Sequence, residues 1–229
     1  MKTKTRSLQY QKPGAFTLVE LLVVIVIIGI LVGISVPIYT TAIKTAQMNT
    51  MMQNGRQIAI ALRIYASDSD GLFPSTTDSS GAALVTSNDA FRDLIPGYLD
   101  SEKVFVTPRS KTGQKCDNKI EPIAECLKAG ENEFAYIAGL STTANSNWPL
   151  LVDGTDGTGK YTEQEGDLGG TWGGVKQVVV NVDGSCSIVK TKGTGANRTL
   201  PRYNDDTKDA LAVTEYMGST TRLLEPARP

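Results

Sequence analysis

The chain has 229 residues, with 23 basic and 24 acidic side chains and no histidine. The missing imidazole excludes Ser-His-Asp and Cys-His catalysis and every His-ligated metal site. No spacing argues for carboxylate, Lys or Tyr catalysis, and no phosphate-cradling glycine loop follows a strand into a helix, so an enzyme is not expected.

Charge is spread unevenly. Lys2, Lys4, Arg6 and Lys12 give residues 1–15 a charge of +4 with no acid, whereas residues 68–229 carry −7. An acidic C-terminal part is poorly suited to gripping nucleic-acid phosphates through bulk charge.

After the basic leader, Glu20 precedes 23 uncharged residues, Leu21 to Ile43. At ~1.5 Å per residue that run spans ~35 Å of helix, enough to cross a hydrocarbon core of ~30 Å. The positive leader keeps its own end cytoplasmic and sends the remainder across. A cleaved secretory signal fits poorly, because the apolar stretch exceeds an ordinary h-region and no A-x-A site follows. A carboxylate carried to the bilayer centre costs on the order of 2.5–3.5 kcal/mol, so Glu20 needs a use.

Gly14-Ala15-Phe16-Thr17-Leu18-Val19-Glu20-Leu21-Leu22 resembles the prepilin processing site of type IV pilins and type II secretion pseudopilins. The resemblance implies cleavage between Ala15 and Phe16 by a prepilin peptidase/methyltransferase, and methylation of the new Phe16 amine. The family usually has Gly immediately before the Phe; here Ala15 intervenes. Cutting at Ala15–Phe16 makes Glu20 the fifth mature residue, the place the family's acid holds. Glu20 is then expected to pair with the Phe16 amine of a neighbouring subunit, since opposite charges attract strongly in low dielectric and are penalised alone. Gly29, Gly33 and Pro37 interrupt the apolar helix. In family members such breakers let the segment stretch in the filament; Gly29 and Gly33 also have the spacing of a close-packing pair.

From Ile38 the helix should continue to residue 67, with Ile38, Ala42, Ala46, Met52, Ala59, Leu62 and Ala66 forming its apolar stripe. Ser67-Asp68-Ser69-Asp70-Gly71 stops it, with Asp68 and Asp70 read as turn residues rather than Ca²⁺ ligands. The stretch from Tyr65 to Pro74 is similar to the region after the first helix in pseudopilins. Residues 75–87 read as a surface connection. A helix capped by Ser87 or Asn88 is expected to run through Leu94 or Ile95, ended by Pro96-Gly97. Val104-Phe105-Val106 is a candidate strand. Cys116 and Cys126 lie ten residues apart and could close a disulfide in an oxidising compartment, leaving Cys186 over.

Phe134–Ile137 and Trp148–Val152 are strand-like, the latter suited to an edge because of Pro149. Val175–Val182 and Ser185–Val189 flank Asp183-Gly184, the strongest hairpin signal present. Between Trp148–Val152 and this hairpin, Asp153 to Gly174 holds eight glycines in 22 residues, read as a long, conformationally free loop. Major pseudopilins hold Ca²⁺ with acidic residues in a comparable loop, which singles out Asp153 and Asp156 here. Residues 191–229 read as a polar tail beyond the sheet, with Asp205 to Met217 forming a short helix.

The expected architecture is α+β and pilin-like: a leader (1–15), a long helix with a transmembrane first half (16–67), and an acidic head (68–229) built on a small antiparallel sheet. The resemblance implies a self-assembling pseudopilin of a type II secretion system. Such a subunit works with a peptidase, a platform protein and an ATPase. It is expected in the bacterial inner membrane, single pass, with its head in the periplasm or, after assembly, on the cell surface. The alternatives are a type IV pilin for adhesion, motility or DNA uptake, and a membrane-anchored binding module.

Overall fold

A computed structural model describes residues 16–75, 77, 81–107 and 116–228. The leader, with Ala15, lies outside the described residues, as does Pro108. The chain divides into two units, Met1–Ile43 and Lys44–Pro229. The sequence boundary at 67/68 marks the end of a helix; the division between units falls earlier, because the later turns of that helix form part of the head's core.

Helix α1 spans Leu18–Asp68. Within the first unit every side chain described from Phe16 to Val36 is exposed. A helix apolar on all sides, with nothing among the described residues packed on it, suits an apolar surrounding. The later turns carry a stripe: Met48, Met51, Ile58, Ala59, Leu62 and Ala66 are buried. Ala59, Leu62 and Ala66 are as expected. The true stripe runs through Met48, Met51 and Gly55, which the sequence reading passed over, while Ala46 is exposed. At Gly55 an added Cβ would stand 2.8 Å from Val180 Cγ2 and 3.2 Å from Phe134, so this glycine lets helix and sheet approach. The helix ends as predicted: Gly71 N–H donates to Ala66 O at 2.7 Å, with Asp70 at φ 53° and Gly71 at φ 80°.

Helix α2 is Ser87–Arg92, capped one residue earlier than expected by Thr86 in a capping box with Asp89. Ser87 and Asn88 are spent elsewhere. Ser87 Oγ donates to Phe134 O at 2.7 Å, and Asn88 Nδ2 to Leu127 O at 2.8 Å. The expected strand at Val104–Val106 is instead a 3-10 turn, Glu102–Phe105, capped by Ser101. It directs Phe105 into the core, with its ring centroid 5.0 Å from that of Phe91.

Five antiparallel strands form the main sheet: β1 (Phe134–Ala138), β2 (Pro149–Asp153), β3 (Lys176–Asn181), β4 (Cys186–Lys190) and β7 (Arg222–Leu224), in the order β4-β3-β2-β1-β7. The Asp183-Gly184 hairpin is present, with Val180 opposite Cys186 and Val178 opposite Ile188. β2 is central rather than an edge. Pro149 is accommodated because it opens the strand next to a register shift, where no ladder N–H is required.

The tail corrects the sequence reading most. Arg222–Leu224 pairs with Ala138–Tyr136 and supplies the fifth strand. Asp205–Asp209, placed in a helix by sequence, is strand β6, paired with β5 (Pro201–Arg202) in a separate ribbon. Only Val213–Tyr216 is helical there, as α3.

Candidate functional site

The first turn of α1 is a capping box. Glu20 Oε2 accepts from Thr17 N at 2.8 Å and from Thr17 Oγ1 at 2.6 Å, while Glu20 N donates to Thr17 Oγ1 at 3.3 Å. Thr17-Leu18-Val19-Glu20 is the S/T-x-x-E signature of a helix start, and the carboxylate also faces the positive end of the helix dipole. Oε2 takes both bonds; Oε1 has no partner among the described residues. Glu20 thus anchors its own helix with one oxygen and presents the other. Phe16, immediately before the cap, is 78% exposed. The role of Thr17 was legible in the spacing but not drawn from it.

Gly29 and Gly33 lie one turn apart on one face, and an added Cβ at either would meet nothing within 4 Å. Among the described residues no contact requires them to be small, and their spacing is that of a close-packing pair. Pro37 lies within α1 and removes one N–H from the ladder. Ser35 Oγ donates to Leu31 O at 2.7 Å, satisfying its hydroxyl inside the helix.

The two residues singled out for Ca²⁺ each make structural contacts of their own. Asp153 is 1% exposed at the end of β2, with Oδ2 accepting from Val178 N at 2.8 Å. Burial pushes its carboxyl up to about 8. Asp156 Oδ1 is spent within its own turn on Thr158 N (2.8 Å), Thr158 Oγ1 (2.7 Å) and Lys160 N (3.1 Å).

The loop itself is not conformationally free. At Gly170 an added Cβ would stand 2.1 Å from Gln164 O, and at Gly174 2.2 Å from Thr162 O. These glycines permit backbone-to-backbone packing. Arg198, 8% exposed, ties the loop down through Glu163 (2.5 Å), Gly174 O (3.2 Å) and Thr191 Oγ1 (2.8 Å).

Cys116, Cys126 and Cys186 are free thiols in this structure, so the expected 116–126 bridge is not formed. The buried Glu102 carboxylate lies against both of the first two: Cys116 Sγ donates to its Oε2 at 3.5 Å, and its Oε1 accepts from Leu127 N at 2.5 Å. Desolvation, with Glu102 adding to it, pushes Cys116 up to about 11 and Cys126 up to about 12. Among the described residues, Glu102, Asp117 and Glu131 bring carboxylate oxygens within 4.8 Å of one another. Each already serves a staple: Glu131 accepts from Asp117 N at 3.1 Å and Lys128 N at 2.8 Å, and Lys128 Nζ pairs with Asp117 at 3.0 Å.

An apolar helix with one presented acid in its first turn, whose later turns pack against an antiparallel sheet, is the plan of a pilin-like subunit. The helix is long and apolar enough to cross a membrane, and none of its most apolar stretch is buried in the protein. Residues 11–36 match the family model of the prokaryotic N-terminal methylation motif, the signature shared by type IV pilins and pseudopilins. The motif implies processing by a prepilin peptidase and pilus-like assembly. No curated protein and no solved structure matches the chain.

Proposed function

We propose that this chain is a structural filament subunit, held in the inner membrane by residues 18–43 and drawn into a polymer when Glu20 meets the methylated Phe16 amine of the preceding copy. Cleavage falls between Ala15 and Phe16, and a platform protein and an ATPase drive assembly. The observation that carries the reading is Glu20 itself, a carboxylate with one open oxygen beside an apolar helix that is exposed among the described residues. Of the two assemblies built from such subunits, we assign this chain to the pseudopilus of a type II secretion system. The long loop between β2 and β3 supports that choice over a surface pilus; the Ca²⁺ expected there lends it no weight. In the oxidising compartment outside the membrane, Cys116 and Cys126, both against Glu102, are the pair that closes.

Capping and charge pairing are separable. Glu20→Gln keeps the box, because Gln serves at the same position, but removes the charge; Thr17→Val removes the cap and keeps the charge. Glu20→Gln should insert in the membrane and abolish polymer incorporation, whereas Thr17→Val should polymerise. Filament yield equal to the parent in Glu20→Gln would refute the charge pair. Mass spectrometry of the native N-terminus should show methylated Phe16. An intact Met1 would instead favour an uncut anchor bearing a binding module.

A further inference from the structure

The face of the main sheet turned away from α1 carries a half-open recess. Val180 faces Gly55 of the helix, so its neighbours Val179 and Asn181 point to the other side, where they form the floor. The walls are the loop before β2 and the β5–β6 ribbon, and the volume is about 450 Å³, within the range of about 300–1,000 Å³ typical of small-molecule sites.

Three aromatic rings border it. Trp148 and Tyr216 meet edge to face, with centroids 5.8 Å apart, and the Arg202 guanidinium lies 3.8 Å over the Tyr216 ring. Tyr203, at the tip of the ribbon, is 75% exposed and makes no ring contact among the described residues. A large ring held in water beside a recess is a platform without an occupant.

The polar lining narrows what that occupant is. Its charges are already matched: Asp206 pairs with Lys192 at 2.8 Å, Asp205 with Lys208 at 3.2 Å, and Arg202 with Glu215 at 3.4 Å. Its amides are not. The side chains of Asn147 and Asn204 make no hydrogen bond among the described residues. Asn145 uses only Oδ1, accepting from Asn147 N at 3.0 Å, and Asn181 uses only Nδ2, donating to Ser185 Oγ at 3.0 Å. Each free amide offers one acceptor and two donors. A charged ligand would have to break a matched ion pair, and a purely apolar one would leave the amides dry. A pyranose meets both demands: its C–H face, slightly positive, lies on the negative face of an aromatic ring, and its hydroxyls bond to amides.

We infer that this recess binds a neutral saccharide. The site lies wholly in the head and does not depend on polymerisation, so it is tested on unassembled protein and stands or falls separately from the Glu20 pairing. The full chain, in micelles of a zwitterionic, sugar-free detergent, is titrated with glucose, galactose, N-acetylglucosamine, N-acetylgalactosamine, maltose and lactose. Binding is read by saturation-transfer NMR and tryptophan fluorescence, with sialic acid as the anionic comparison. At least one neutral sugar should receive saturation at its ring C–H protons. Tyr203→Ala and Asn204→Ala should each weaken that binding about tenfold, with near-UV circular dichroism unchanged. Three results would overturn the inference: no response from any neutral sugar up to about 20 mM, undiminished binding in both variants, or preference for sialic acid.

Discussion

Asp153→Asn tests how the head tolerates a buried acid. Asp153 is 1% exposed, its Oδ1 has no hydrogen bond, and Trp172 Nε1 lies beside it without reaching bonding geometry. Burial holds the folded carboxyl near about 8, far above the ordinary 3.8. Between those values the native state keeps a proton that the unfolded chain has released. Stability from this group is therefore complete below the lower value and is lost as pH rises to the upper one. The slope is about 1.4 kcal/mol per pH unit, so the parent should lose roughly 2–3 kcal/mol between pH 5 and pH 7 through Asp153 alone. With no histidine present, no imidazole titrates in that window. Glu225, also raised by burial, is common to both chains and cancels. Asn mimics the protonated acid and keeps the bond from Val178 N. Urea unfolding of the full chain in micelles, followed by Trp148 and Trp172 fluorescence, should show the parent's midpoint falling by about 1–2 M more than the variant's over that range. Parallel loss in the two chains would show that Asp153 is ionised in the fold and refute the reasoning.

The remaining predictions concern packing. Gly174→Ala puts a methyl group 2.2 Å from Thr162 O at φ +66°, and should cost about 3 kcal/mol or more, seen as a lower thermal midpoint. Arg198→Met removes the ties to Glu163, Gly174 and Thr191. It should destabilise by about 3 kcal/mol and speed amide exchange in residues 162–174. Cys126, fully buried with its thiol pushed up to about 12, should resist iodoacetamide at pH 8 in the folded, unoxidised chain and react after denaturation.

What could be read from the residues depended on how local the causes were. The Asp183-Gly184 turn, the helix stop at Asp70-Gly71 and the uncharged run after Glu20 each carry their cause within a few positions. Arg222–Leu224 has no alternation of its own and becomes a strand because β1 offers an open edge. Asp205–Asp209 has a composition that disfavours strands and is held as one by β5. The glycines of 153–174 suggested freedom, but Gly170 and Gly174 exist because another stretch of backbone occupies the space of a side chain. At the N-terminal site, the Thr17-x-x-Glu20 spacing carries the cause of the cap within four residues, whereas the partner of the second carboxylate oxygen lies outside any local pattern.

The placement of β7 couples completion of the sheet to the last strand to be made. It is synthesised after every other strand of its sheet, yet it lies directly against β1. Until β7 docks, the head exposes the bare ladder of Tyr136–Ala138, an adhesive border that invites aggregation or proteolysis. Quality control is thereby written into topology: a polypeptide still lacking this strand cannot present a finished surface.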